Sequence, residues 1–185
     1  MTTKIERCEE VLVYSDQQNP WVRLYFDRVR WPNGRLGRYN RVVEVESNTG
    51  VAVLPIAGSL VGLVRQYRYP VDQEVWEIPR GFCDSDDAEA NALRELHEET
   101  GLPAPRLKNL GPIHPNSGVL ATTVFLFAAL YDDAVPSSPT DPAEISEFRW
   151  VSSSKALTDA TSGQIKDAFT LAALFRALRS GLLNG

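Results

Sequence analysis

Three carboxylates stand at positions 95, 98 and 99 in the string Arg94-Glu95-Leu96-His97-Glu98-Glu99-Thr100-Gly101-Leu102. On a helix turning about 100° per residue, positions i, i+3 and i+4 fall on one side, so the three acids converge. Like charges at that spacing repel, and the arrangement is costly unless water screens it or a cation sits among them. Oxygen donors of this kind suit a hard divalent cation, Mg²⁺ or Mn²⁺. Glu95, Glu98 and Glu99 are therefore candidate metal ligands. Arg94, four residues before Glu98, can offset part of the repulsion and orient that carboxylate. His97 projects away from the acidic side and is expected to be structural. A solvated acidic helix face is the competing reading of such a string taken alone, so the surrounding elements have to decide.

The helix that would carry these acids has a start and a stop. Asp86 can serve as its N-cap with Glu89 as capping-box partner, and Gly101-Leu102-Pro103 supplies a left-handed C-cap, which predicts a helix over 87–100. Upstream, residues 21–29 alternate as a strand with Val22, Leu24 and Phe26 on one face and Arg23, Tyr25 and Asp27 on the other. Pro32-Asn33-Gly34 reads as a turn and 38–46 as the return strand. The apolar run 51–54 predicts a strand buried on both faces, which Pro55 should end. Residues 60–67 and 74–78 read as strands, with Pro79-Arg80-Gly81 opening a loop. Downstream, 119–131 reads as a long strand, 132–142 as a Pro/Ser/Asp-rich loop, and 145–151 as a strand. Residues 166–178 read as an amphipathic helix presenting Phe169, Ala172, Leu174 and Leu178. Trp76 is expected in the core, and Tyr25, Trp31 and Tyr39 are expected to pack locally or meet a partner subunit.

At 185 residues with 43% hydrophobic content, the chain fits one domain with a modest N-terminal extension. The net charge of -5 is spread through the sequence, so no basic stripe advertises a nucleic-acid backbone. Cys8 and Cys83, far apart, fit free thiols in a reducing compartment. The first residues lack an apolar signal core and no segment reaches the length of a membrane span, so a cytoplasmic protein is expected.

The stretch from Gly81 to Leu102 resembles the Nudix box. Its second half, Arg94-Glu95-Leu96-His97-Glu98-Glu99-Thr100-Gly101-Leu102, matches the family pattern without a gap. Its first half departs from that pattern: Gly81 lies one residue too close to Arg94, and Asp86 or Asp87 stands where the family has its first Glu. Gln66-Tyr67-Arg68-Tyr69-Pro70-Val71 and Trp76-Glu77-Ile78-Pro79-Arg80-Gly81 look like the segments ahead of the box in ADP-ribose pyrophosphatases and related nucleoside-diphosphate-sugar hydrolases. So do Pro115-Asn116-Ser117-Gly118 and Gly163-Gln164-Ile165-Lys166-Asp167-Ala168.

The resemblance implies an α+β fold, a mixed sheet sandwiched between helices. Residues 1–45 would form an N-terminal β extension suited to dimerisation, and 46–185 the hydrolase domain. It implies a metal-dependent hydrolase, with Mg²⁺ or Mn²⁺, that cleaves the diphosphate of ADP-ribose or a related nucleoside-diphosphate sugar. Alternatives are a housecleaning nucleoside-triphosphate hydrolase and a nucleotide-sugar sensor without catalysis. Glu95, Glu98 and Glu99 with the Arg80 carbonyl would form the metal shell, and Arg94 and Glu98 would serve catalysis. Arg68 would contact substrate, and Glu77 is either a second contact or the partner of Arg68. The general base would come from a loop after the box, with Glu144 and Glu147 as candidates. A homodimer that exchanges N-terminal strands is expected, with no nucleic-acid or membrane partner.

Overall fold

A computed structural model of the chain describes residues 3–44, 48–137 and 145–184. The chain forms two compact units, Met1–Thr49 with His114–Thr123, and Gly50–Ile113 with Val124–Gly185.

The first unit is a four-stranded antiparallel sheet of β1 (Glu6–Glu9), β2 (Leu12–Asp16), β3 (Asn19–Arg30) and β4 (Leu36–Glu44). The twelve residues of β3 are long enough for β1 and β2 to share one of its edges end to end, while β4 takes the other from Val22 to Arg30. Gly34 turns β3 into β4 with φ of +83°, a conformation that glycine adopts without steric cost.

Alternation in β3 is as expected, and toward its end the face that carries Asp27 is the buried one. Asp27 and Val29 are buried while Phe26 is exposed. The reason is electrostatic. Asp27 accepts the Val11 N–H at 3.1 Å, in the gap between β1 and β2, and the Arg41 Nε at 2.9 Å. Arg41 in turn lies over the Tyr25 ring at 4.0 Å and reaches Glu10 at 2.8 Å. Trp31 and Tyr39 pack on each other with ring centres 6.0 Å apart, the local packing expected of them.

The second unit holds a seven-stranded sheet. Its main path is β11 (Ile145–Ser152), β6 (Leu60–Arg68), β5 (Thr49–Ala57), β10 (Thr123–Tyr131) and β9 (Arg106–Ile113). The short strands β7 (Gln73–Glu77) and β8 (Arg80–Phe82) pair with β6 and β5. β5 and β10 begin side by side, with Gly50 against Val124. They run parallel in an otherwise antiparallel sheet, which makes the sheet mixed. Residues along β5 alternate between two cores. Val51 and Val53 meet Ala92 and Leu96 of α1 (Ala88–Thr100), whereas Ala52, Leu54 and Ile56 meet Ala156 of α2 (Ser153–Ser162) and Ala173, Leu174 and Ala177 of α3 (Ala168–Arg179). The sheet is therefore covered by α1 on one face and by α2 and α3 on the other. Each large apolar side chain so buried contributes roughly 2 kcal/mol.

Several local expectations are corrected. β5 runs through Pro55, which falls between the residues paired to β8 and those paired to β6, where neither ladder asks for its N–H. Pro79-Arg80-Gly81 does not open a free loop: Arg80 and Gly81 pair with Ala52 and Val51. β10 begins at Thr123 rather than 119. Strands β1, β2 and β9 and helix α2 had no counterpart in the sequence reading. β9 mixes polar and apolar residues without clean alternation, is interrupted by Gly111 at φ of +90°, and is held from a distance by Arg176, which donates to the carbonyls of Leu110 and Pro112 at 2.8 and 3.1 Å. Among the described residues neither cysteine forms a disulfide; Cys8 is exposed and Cys83 buried. No helix among the described residues is long and apolar enough to cross a membrane.

Burial raises the Asp27 pKa, but the Arg41 and Val11 hydrogen bonds outweigh it and hold the carboxyl below its ordinary value. Its contribution to stability is thus present near neutral pH and fades as acid neutralises it. Asp27→Ala takes the acceptor from the Val11 N–H and leaves Arg41 with Glu10 alone, and should lower stability by about 2 kcal/mol in denaturant unfolding. A loss under about 0.5 kcal/mol, the range of an exposed pair, would contradict the assignment.

Candidate active site

The acidic helix is set by its ends. Asp87, not Asp86, is the N-cap: its side chain accepts the Glu89 and Ala90 N–H groups at 3.0 and 3.1 Å. Gly101 closes the helix in the left-handed conformation, φ of 65°, and donates to the His97 carbonyl at 2.7 Å. His97 is exposed and its Nδ1 stands 3.3 Å from the Leu102 carbonyl, clear of the acids, as expected of a structural residue.

One residue that sequence reasoning passed over organises the shortened loop before the helix. Buried Asn91 donates to the Ser85 carbonyl, the Ser85 hydroxyl and the Asp87 carbonyl, and accepts the Asp84 N–H at 3.0 Å. Its signal in the sequence was an amide on the buried side of an amphipathic helix, where only a satisfied polar network is tolerated.

Arg94 joins helix and loop. It pairs with Glu95 at 2.8 Å and Glu98 at 2.9 Å, approaches Asp84 at 3.5 Å, and donates to the Phe82 carbonyl at 3.0 Å. Burial opposes its charge, but Glu95, Glu98 and Asp84 outweigh that and push its pKa up, so it is a fixed cation.

Glu95 and Glu99 turn inward and Glu98 stays exposed. A Cβ at Gly81 would lie 2.2 Å from the Glu95 carboxyl, so the missing side chain makes the space in which that carboxylate reaches the Arg80–Gly81 backbone. Glu99 accepts the Arg80 N–H at 3.3 Å. Burial, then the charges of Glu95 and Glu77, drive the Glu99 pKa up to about 8, against the weaker opposing pull of Arg68 and the Arg80 N–H. Three carboxylates thus share one poorly solvated region. Among the described residues no three acidic, His or Cys groups already stand in a metal-gripping arrangement. Arg94 engages Glu95 and Glu98 instead. The donor set nevertheless fits a hard divalent cation: oxygen ligands only, a carboxyl at Glu99 that a cation would ionise, and a backbone edge at Arg80 and Gly81.

Beside this region lies a cleft of about 490 Å³, lined by Arg68, Glu77 and Arg80 together with residues of the Tyr69–Val71 turn and the start of α3. Glu77 is almost fully buried and is gripped by the two-point fork of Arg68. Its geometry is that of a partner holding Arg68, the second of the two roles its sequence position left open. Trp76 packs on the core facing α2 and α3, under the Arg149 guanidinium at 3.7 Å.

Of the two base candidates, Glu144 lies outside the described residues. Glu147 pairs with Arg65 at 3.8 Å and Arg149 at 3.2 Å. Through its register with Arg65 and Trp76 it sits on the sheet face opposite Glu77 and α1. That register puts Glu147 on the other side of the sheet from the acidic helix.

Because Glu99 is largely protonated at neutral pH, a divalent ion that takes its carboxylate must displace a proton. Titrating Mg²⁺ or Mn²⁺ into the chain at pH 7 in buffers of different ionisation heat should show proton release, and affinity should rise from pH 6 to pH 8. A pH-independent affinity over that window would separate Glu99 from the ion.

The family model described as the NUDIX domain matches residues 46–171. The chain is 28% identical over 155 residues to the ADP-ribose pyrophosphatase of Bacillus subtilis, covering 83% of each chain. It is 28% identical over 162 residues to the GDP-mannose pyrophosphatase of Cronobacter sakazakii, covering 82% of this chain and 84% of that one. It is 32% identical over 111 residues to the methanol dehydrogenase activator of Bacillus methanolicus, covering 58% of each. The fold is shared with a solved structure described as an ADP compounds hydrolase, at a TM-score of 0.79 and 18% identity over 97% of this chain and 94% of that one. With the box on α1 and the family model spanning well over half of its length, the chain belongs to the Nudix family.

Proposed function

We propose that the chain is a divalent-metal-dependent pyrophosphatase that splits the diphosphate of ADP-ribose or a related nucleoside-diphosphate sugar. The observation that carries this reading is the convergence of Glu77, Glu95 and Glu99 beside a cleft lined by Arg68. Relatives named for ADP-ribose and GDP-mannose hydrolysis support the substrate class.

Glu95, Glu98 and Glu99, with the Arg80 carbonyl, would hold Mg²⁺ or Mn²⁺. When bound, the ion would neutralise phosphate charge and make a coordinated water more acidic. Arg94 keeps Glu95 and Glu98 oriented by its two ion pairs. Glu77 holds Arg68 at the cleft, where the guanidinium can donate to a phosphate oxygen. Water adds at one phosphorus, the bridging P–O bond breaks, and a nucleoside monophosphate and a sugar phosphate leave. A carboxylate takes the proton from the water, and Glu144 is the candidate that remains. In a panel of nucleoside-diphosphate sugars and nucleoside triphosphates with Mg²⁺ or Mn²⁺, the diphosphate sugars should turn over best. Glu98→Gln should lower that rate by at least about 10²-fold without shifting the melting temperature. Full activity of this variant would sink the metal-site assignment.

The N-terminal unit is proposed as a homodimer surface. It leaves the large apolar side chains of Leu12 (49%), Trp21 (63%) and Leu36 (65%) exposed. Light scattering after size exclusion should give twice the 20.6 kDa chain mass, and Trp21→Glu with Leu36→Glu should return it to a monomer. A wild-type chain that stays monomeric at micromolar concentration would overturn the assignment.

A further inference from the structure

We infer that the side chain of Arg80, in addition to its expected backbone role, is a specificity-determining contact for the sugar-phosphate half of the substrate. This rests on the pyrophosphatase reading. Arg80 lines the cleft with its guanidinium held over the Phe169 ring, Cζ 4.6 Å from the ring centre. Two carboxylates balance its charge from beyond hydrogen-bonding distance, Glu77 at 3.7 Å and Asp167 at 4.0 Å. Its buried Nε finds no acceptor among the described residues. Asp167 cannot close in, because it is committed to α3: the same carboxylate accepts the Thr170 N–H at 2.8 Å and the Thr170 hydroxyl at 2.7 Å. A planar cation that is oriented by an aromatic face and left with unused donors matches the oxygens of a phosphate.

The rest of the lining says which half of the substrate enters. No aromatic side chain lines the cleft among the described residues, so it offers no stacking surface to a base. Gln73 and Lys166 instead present hydrogen-bonding groups suited to sugar hydroxyls, with the Lys166 ammonium 3.4 Å from the Gln73 side-chain oxygen. The phosphate attached to the sugar therefore meets Arg80 and Arg68, with the sugar directed toward Gln73 and Lys166. Phe169 and Asp167 are positioning residues for Arg80.

The test is titration of ribose 5-phosphate into the metal-free full chain by calorimetry, with AMP as the comparison ligand, alongside kinetics on ADP-ribose with Mg²⁺. Arg80→Gln should weaken ribose 5-phosphate at least about tenfold and raise KM by a similar factor, while kcat and AMP binding change less than about threefold. Arg80→Lys keeps the charge beside Glu77 and Asp167, preserves folding, and should weaken ribose 5-phosphate by a smaller factor for loss of the fork. Absence of ribose 5-phosphate binding to the wild-type chain overturns the inference, as does an unchanged affinity in both variants or an equal loss for AMP. A chain that binds ribose 5-phosphate through Arg80 yet hydrolyses no nucleoside-diphosphate sugar upholds the contact and sinks the pyrophosphatase reading instead.

Discussion

Carboxylates buried beside one another are the constraint to which the second unit is fitted. Glu77, Glu95 and Glu99 have little exposure, and the burial of Glu99 together with its acidic neighbours holds its proton on to about pH 8. Desolvated like charges are among the most expensive arrangements a fold can contain. The chain answers with arginines aimed at individual acids, Arg68 at Glu77 and Arg94 at Glu95 and Glu98. What is left over, the charge that Glu99 cannot express, is what a divalent cation would release.

Backbone geometry serves the same end. Pairing of β8 with β5 fixes Arg80 and Gly81 as an edge facing α1, and the absent side chain of Gly81 lets Glu95 close on it. The loop between that edge and the helix is one residue shorter than the family pattern. Here it is held by Asn91, whose amide satisfies three carbonyl or hydroxyl oxygens and one backbone N–H. Shortening therefore leaves the helix start intact, moved to the Asp87 cap.

The first unit shows the same logic with a different sign. Asp27 is buried because Arg41 and an otherwise unpaired N–H need it, and that need turns the end of β3 so that Phe26 faces out. Hydrophobic alternation finds a strand from its period, but period alone does not say which face is inward. A buried ion pair can reverse the assignment that apolar count would make.

Local periodicity and end signals were enough for the acidic helix, the Gly101 stop, strands β3 to β7 in outline, and the convergence of Glu95, Glu98 and Glu99, because those depend on residues within a few positions of one another. The ungapped half-box carried the family, and with it the α+β sandwich. Strand β9 was hidden because Gly111 and Pro112 break its pattern and Arg176, which also holds it, lies far along the chain, and β8 because its partner is β5 rather than a neighbour in sequence. The inward turn of Glu99, the grip of Arg68 on Glu77, the removal of Glu147 to the opposite sheet face and the unspent donors of Arg80 are likewise properties of distance between elements. Spacing along a helix decides which side chains share a side; the solvent, charge and partners each one meets are decided only when the sheet, α1 and α3 close around them.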